Sequence, residues 1–348
     1  MLPNCKSIPA LTLILLMICT ASAVPGYTTE AQKKDNAEKP KKQKEEKNKK
    51  GSSDGSGAQD GRPVLWEDPT DIESRDLFNG AGGAQGAPDA NGKFTFVKRS
   101  PGGTSEKIQV DDDKGRKWTV KFGPEARPET SATRIVWAAG YIVDQDYFVK
   151  RTHIEGRGGF NIWDVRFERR DDGYKEEGEW SWASNPFNGT RELQGLKVLM
   201  ALLNNWDLKT VNNKIVRPDK KSGGDRDIRV YYVADLGGTL GKTGSPFQKL
   251  PFFGNAPAGS KGDPEDYASQ PFIEGVSNGQ VAFYYKGKDP KALEGISVEN
   301  ARWIGNLLGR LSDKQLSDAF RAGGFTESEV TIYVRAMRDR INQLKNLK

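Results

Sequence analysis

From Lys93 onward the chain alternates apolar and polar residues in short runs, then switches to helical periodicity. KFTFVKR, EKIQVDDD and RKWTVKFG place β-branched or aromatic residues at every second position, which predicts strands with one buried face; a turn at Asp113-Lys114-Gly115 joins the last two. RPETSATRIVWAAGYIV predicts a helix, with Pro128 and Glu129 at its start and Ile135, Val136, Ala139 and Gly140 recurring on one side until it ends near Tyr141. YFVKRTHI and FNIWDVRFERR return to alternation. Residues 93–170 therefore read as a mostly antiparallel sheet carrying one helix.

The second half has a different rhythm. TRELQGLKVLMALLNNW predicts a helix capped by Thr190, with Leu193, Leu196, Val198, Leu199, Leu202 and Leu203 on its apolar side. NNKIV and IRVYYVADLG, separated by the polar run RPDKKSGGDRD, read as a hairpin, and Gly237 to Gly279 as irregular chain. Three helices follow, in VENARWIGNLLGRL, DKQLSDAFRAG and ESEVTIYVRAMRDRINQLKNL. The fold class expected is α+β, with an N-terminal part over 63–185, whose first residues are loop-like, and a mainly helical part over 186–348.

Before residue 63 there is no such pattern. Lys6, the apolar run Ile8 to Ile18 and Ala21-Ser22-Ala23 form a signal peptide over 1–23, so secretion or a periplasmic location is expected. A lipoprotein reading would use Cys19, but Ile18 is bulky where small residues are preferred. Residues 24–62, in KKDNAEKPKKQKEEKNKKGSSDGSGAQDG and its flanks, are too polar to bury surface that offsets ordering entropy, and read as a disordered Lys-rich tether. Its lysines offer a weak contact to the cell envelope, diluted by Glu38, Glu45 and Glu46. Nothing later is apolar for the roughly 18 residues a membrane span needs. The net charge of +6 arises largely in this tract, so no nucleic-acid partner is expected. One histidine and two cysteines, Cys5 and Cys19, exclude multi-histidine or thiolate metal sites and disulfide scaffolds.

The chemistry lies in Asn204-Asn205-Trp206-Asp207-Leu208-Lys209-Thr210-Val211-Asn212 and, after the predicted hairpin, Asp235-Leu236-Gly237. Upstream, Pro101-Gly102-Gly103-Thr104-Ser105 lies between two strands, where small residues let backbone N–H groups approach phosphates. Lys121 follows in WTVKFG, and Glu129, with Glu125 as second candidate, lies at the start of the next helix. In this order the pieces resemble the protein-kinase-like superfamily, nearer its atypical branches (HipA-type kinases, phosphatidylinositol kinases, secreted Golgi-type casein kinases) than ordinary Ser/Thr kinases. The resemblance spans about residues 93–245. The chain also resembles a group of exported bacterial proteins.

The resemblance implies a two-lobed kinase-like fold binding ATP with Mg or Mn. Gly102, Gly103 and Thr104 would cover the phosphates, Lys121 would hold them and Glu129 would fix Lys121. Asp207 would orient or deprotonate an acceptor hydroxyl, Lys209 would stabilise the transferring group, and Asn212 and Asp235 would hold the metal. The sequence departs from the family at Asn205-Trp206, where His-Arg is usual, at Leu236 in place of phenylalanine, and in its reduced glycine loop. These departures, and the scarcity of ATP outside a bacterial cytoplasm, leave an alternative: an envelope binding or scaffold protein of pseudokinase type. An unrelated α+β secreted protein is a third reading.

Other features have plain readings. Asp111-Asp112-Asp113 fits a turn better than a calcium loop, His153 lacks a nucleophile partner, and Thr190 in Asn188-Gly189-Thr190 is as much a helix cap as part of a glycosylation acceptor. Trp163, Trp180, Trp182 and Trp206 read mainly as core, with a sugar-stacking surface as the alternative.

Overall fold

The computed structural model of the chain describes residues 61–100, 105–170, 173–219, 227–244 and 259–348. The predicted signal, nearly all of the tether and Gly102, Gly103 and Thr104 lie outside the described residues. In chain order, β1 (Arg62–Val64) and the single turn α1 (Gly83–Gly86) precede β2 (Phe94–Ser100), β3 (Lys107–Asp112), β4 (Lys117–Lys121) and α2 (Ala126–Ala138). Next come β5 (Asp146–Glu155), β6 (Phe160–Arg169), β7 (Tyr174–Glu179), α3 (Arg191–Leu202), β8 (Asn213–Pro218) and β9 (Ile228–Val233). Then follow α4 (Pro264–Ser269), β10 (Ile273–Ser277), β11 (Gln280–Phe283), α5 (Val298–Leu308), α6 (Asp313–Ala322) and α7 (Glu327–Lys345). The architecture is mixed α+β.

Strands β2, β3, β4, β6 and β5 close into a barrel in that order. The expected antiparallel pairings form, but Phe94↔Ile154 and Thr95↔Glu155 run parallel and join β2 to β5. Alternation sends Phe94, Val110, Trp118, Val120, Val165 and Phe167 inward to one core. It turns Lys121 and its cross-strand partner Arg166 outward, yet both are buried because α2 packs on β5 and β6 over that face.

That face of α2 is polar, and its satisfaction fixes the helix. Asp146 is buried and accepts bonds from Thr133 Oγ1 at 2.8 Å, Arg134 Nη1 at 2.8 Å and Arg166 Nη1 at 3.1 Å. The helix ends at Ala138, short of Tyr141: Gly140 turns the chain with φ 90°, and a Cβ there would lie 2.2 Å from the Glu67 carbonyl oxygen.

The predicted β8–β9 hairpin is antiparallel and sits inside a four-stranded sheet, β1-β9-β8-β7. Strand β1 pairs in parallel with β9 in a stretch expected to be loop-like, and β7, YKEEGE with Tyr174 its one aromatic residue, pairs with β8. This sheet draws strands from both sides of residue 185. The stretch expected to be irregular contains α4 and β10. Thr190 caps α3 as expected, its hydroxyl accepting from Leu193 N at 3.2 Å. Helices α3, α5, α6 and α7 bury one large apolar cluster, and α2 packs on α6. Among the described residues no helix is long and apolar enough to cross a membrane.

Asp146→Ala takes its carboxylate from the buried Arg134 guanidinium, and one carboxylate of several from that of Arg166, and is expected to cost about 3–5 kcal/mol. Urea unfolding should show a lower midpoint with unchanged slope; an unmoved midpoint would remove Asp146 from this role.

Candidate functional site

Lys121 closes β4, and Glu129 lies in the first turn of α2, so the short connection between the two elements sets one against the other. The Lys121 ammonium lies 2.9 Å from Glu129 Oε2, 2.7 Å from Glu125 Oε2 and 3.5 Å from Asp235 Oδ1. Both glutamates considered from the sequence are therefore partners. Glu125 also pairs with Lys261 and accepts a bond from the Ser105 hydroxyl at 3.0 Å. Glu129 has a second cation, Arg166, at 3.3 Å.

The charges are unequal in depth. Burial works against the Lys121 charge, but Glu129, Asp235 and Glu125 outweigh burial and Arg166, and the ammonium holds its proton more tightly than a free lysine. Burial pushes the Glu129 carboxyl up to about 7 against the pull of Arg166 and Lys121. Glu125 is buried too, yet Lys121 and Lys261 draw it down to about 2.

Asp235 follows β9 directly, and its Oδ1 accepts from Gly237 N at 3.1 Å, which folds Asp235-Leu236-Gly237 into a tight turn. A Cβ on Gly237 would stand 2.9 Å from that of Glu125, so the turn has room only for glycine. Leu236 is fully buried.

The Asp207 loop is fixed by its own polar side chains. Asn204, at φ 55°, turns the chain out of α3, donates to the Gly241 carbonyl at 2.7 Å and accepts from Arg340 of α7 at 2.9 Å. Asn205 Oδ1 accepts from Asp207 N at 3.1 Å, and Trp206 N donates to the Gly238 carbonyl at 3.0 Å. Asn212 turns back onto the loop, its amide nitrogen donating to the Asp207 carbonyl at 2.7 Å. The Asp207 carboxylate lies between Lys209 at 2.9 Å and Lys288 at 3.0 Å. Burial would raise it, but the ammonium groups of Lys209 and Lys288 beside it hold it below the usual carboxylate range.

Lys121, Glu129, Asn212 and Asp235 line one polar cleft of about 350 Å³, with Arg166 and Asp144 among its other walls. Asp207 and Lys209 do not line it; Asn212 connects them to it. Sequence reasoning missed Arg166, Lys261 and Lys288, and met Ser105 only as the end of the glycine run. Of these, Arg166 had a weak signal, an arginine on the same outward phase of alternation as Lys121.

Of the remaining candidates, the aspartate run and His153 take their plain readings and the tryptophans divide. Asp112 accepts from Lys114 N and Arg116 N at the β3–β4 turn, and exposed His153 lies 3.2 Å from Asn161 Oδ1. Trp180 and Trp182 are core, whereas Trp163 is exposed and Trp206 half-buried.

No protein-family model matches the sequence, and no curated protein sequence matches it. Among solved structures, the chain is similar to the Helicobacter pylori proinflammatory kinase CtkA, at 13% identity and a TM-score of 0.41, over 74% of this chain and 94% of that one. It is also similar to the Rio2 kinase in its ADP/Mg²⁺–phosphoaspartate complex from Chaetomium thermophilum, at 14% identity and a TM-score of 0.29, over 72% of each chain.

Because Glu125 falls from its ordinary 4.5 to about 2 in the folded protein, its ionised form stabilises the fold above pH 4.5, and that contribution is lost as pH falls toward about 2. Thermal midpoints measured from about pH 5 to pH 2 should drop, and drop less steeply in Glu125→Gln; parallel profiles would contradict the assignment.

Proposed function

We propose that the protein is an exported phosphotransferase with a two-lobed kinase-like fold, which moves the γ-phosphoryl group of ATP to a hydroxyl acceptor. The observation that carries this reading is the buried Lys121 ammonium, 2.9 Å from Glu129 and 3.5 Å from Asp235, in a cleft that Asn212 also lines. A lysine this deep is tolerable because three carboxylates face it, and in the kinase-like plan the same ammonium serves the phosphates of a nucleotide.

In this reading Lys121 binds nucleotide phosphates and Glu129 keeps it aimed. Asp235 and Asn212 suit a hard cation: the carboxylate is partly exposed, and Asn212 spends its amide nitrogen on Asp207, leaving the oxygen end for an ion. Mg²⁺ or Mn²⁺ there supplies charge neutralisation for the phosphates. The three carboxylates Glu125, Glu129 and Asp235 lie within 4.8 Å of one another, but the Lys121 ammonium already pairs with all three.

Asp207 orients the acceptor hydroxyl and receives its proton as the hydroxyl oxygen bonds to phosphorus and the bond from phosphorus to the departing ADP oxygen breaks. Lys209 offsets charge on the transferring group. The work is positioning and electrostatics. The predicted signal favours a second reading, in which the cleft serves an envelope binding or scaffold role without phosphotransfer, since ATP is scarce outside the cytoplasm.

A thermal-shift titration of the intact chain separates these. ATP at 100 times its dissociation constant, with Mg²⁺ or Mn²⁺, should add about 2.7 kcal/mol of stability, and Asp235→Ala should abolish the metal-dependent rise. Asp207→Ala should keep the shift but lower phosphotransfer by about 10²–10⁴-fold. Stabilisation without transfer in the unmodified chain selects the second reading; no shift with any nucleotide ends the first.

A further inference from the structure

The segment after β11 is strapped onto the Asp207 loop. Lys288 N donates to the Trp206 carbonyl at 2.8 Å, and the Tyr285 hydroxyl donates to the Lys288 carbonyl at 2.8 Å. Gly287 makes the close approach possible: a Cβ there would stand 2.4 Å from the Tyr285 hydroxyl and 2.6 Å from Trp206 Cα. A parallel bridge between Asp207 and Lys288 records the same contact.

The backbone thus docks the strap without help from the Lys288 side chain, which is free for another task. It extends to Asp207 Oδ1 at 3.0 Å, opposite Lys209 on Oδ2 at 2.9 Å. We propose that Lys288 is a positioning residue for phosphotransfer, holding the Asp207 carboxylate from the side that Lys209 does not reach. The proposal rests on the function proposed above.

Two ammonium groups on opposite oxygens fix the plane of a carboxylate, where one would leave it free to rotate about the Cβ–Cγ bond. A carboxylate has about four lone-pair directions, so the two ammonium contacts and the Asn212 amide at 3.4 Å from Oδ2 leave one for an acceptor hydroxyl. Lys209 comes from the loop itself and moves with it; Lys288 comes from a separately anchored element. It therefore refers the carboxylate to the helical body, because the strap leads on to α5. The Lys288 side chain is 38% exposed, so removing its charge does not open a cavity in the core.

The test is turnover of MgATP by the intact chain, read as inorganic phosphate release with water as the acceptor hydroxyl, beside nucleotide-dependent thermal stabilisation. Lys288→Met should lower kcat by about tenfold or more, with KM for MgATP within about twofold and the thermal shift retained. Lys288→Arg should recover most of the turnover. Gly287→Ala, which pushes the strap away, should reproduce the loss seen in Lys288→Met. Wild-type turnover in Lys288→Met, or loss confined to KM, would overturn the proposal. If the unmodified chain neither binds nucleotide nor releases phosphate, the functional reading falls, and the role of Lys288 falls with it.

Discussion

A single ammonium group, that of Lys121, sets the terms for the rest of the site. Removed from water, it is tolerable only because Glu125, Glu129 and Asp235 surround it, and an unpaired charge at that depth would cost several kcal/mol. Those carboxylates come from the lead-in to α2, from α2 itself and from the turn after β9. The barrel strand that carries the lysine, the helix across its face and the second sheet must therefore meet in one register. The network continues through Glu129 to Arg166 and through Arg166 to Asp146, so the orientation of α2 and the geometry of the cleft are one constraint.

The Asp207 loop is made differently, by amides and backbone more than by charge. Asn204, Asn205 and Asn212 each satisfy a neighbouring main-chain group, which leaves the loop few conformations. At the same time the loop hangs on distant elements: Trp206 bonds to Gly238 and to Lys288, and Arg340 bonds to the Leu202 carbonyl and to Asn204. Its short local motif is completed by partners dispersed through the chain.

This difference explains what could be read in advance. Lys121, Glu129, Asn212 and Asp235 fall in a recognisable order, and the elements that carry them have strong periodicity. The strands of the barrel, α2, α3 with its Thr190 cap and the three C-terminal helices were legible for the same reason. Strand β7 was not, because YKEEGE lies at the edge of its sheet and carries no apolar alternation. Strand β1 is three residues long and depends on pairing with a strand far along the chain. Barrel closure rests on two residue pairs, which no local pattern encodes. Lys261 and Lys288 read as ordinary surface lysines, since only tertiary contact gives them Glu125 and Asp207 as partners.

The reliance of the Asp207 loop on α7 has a consequence for biosynthesis. A ribosome makes the chain from its N-terminus, and α7 emerges after every other described element. Until then Asn204 and the Leu202 carbonyl lack the guanidinium that pins them, and the loop between Leu203 and Asn212 is without its anchor. The nascent polypeptide can fold its barrel early, but the centre is complete only once α7 has been made and docked.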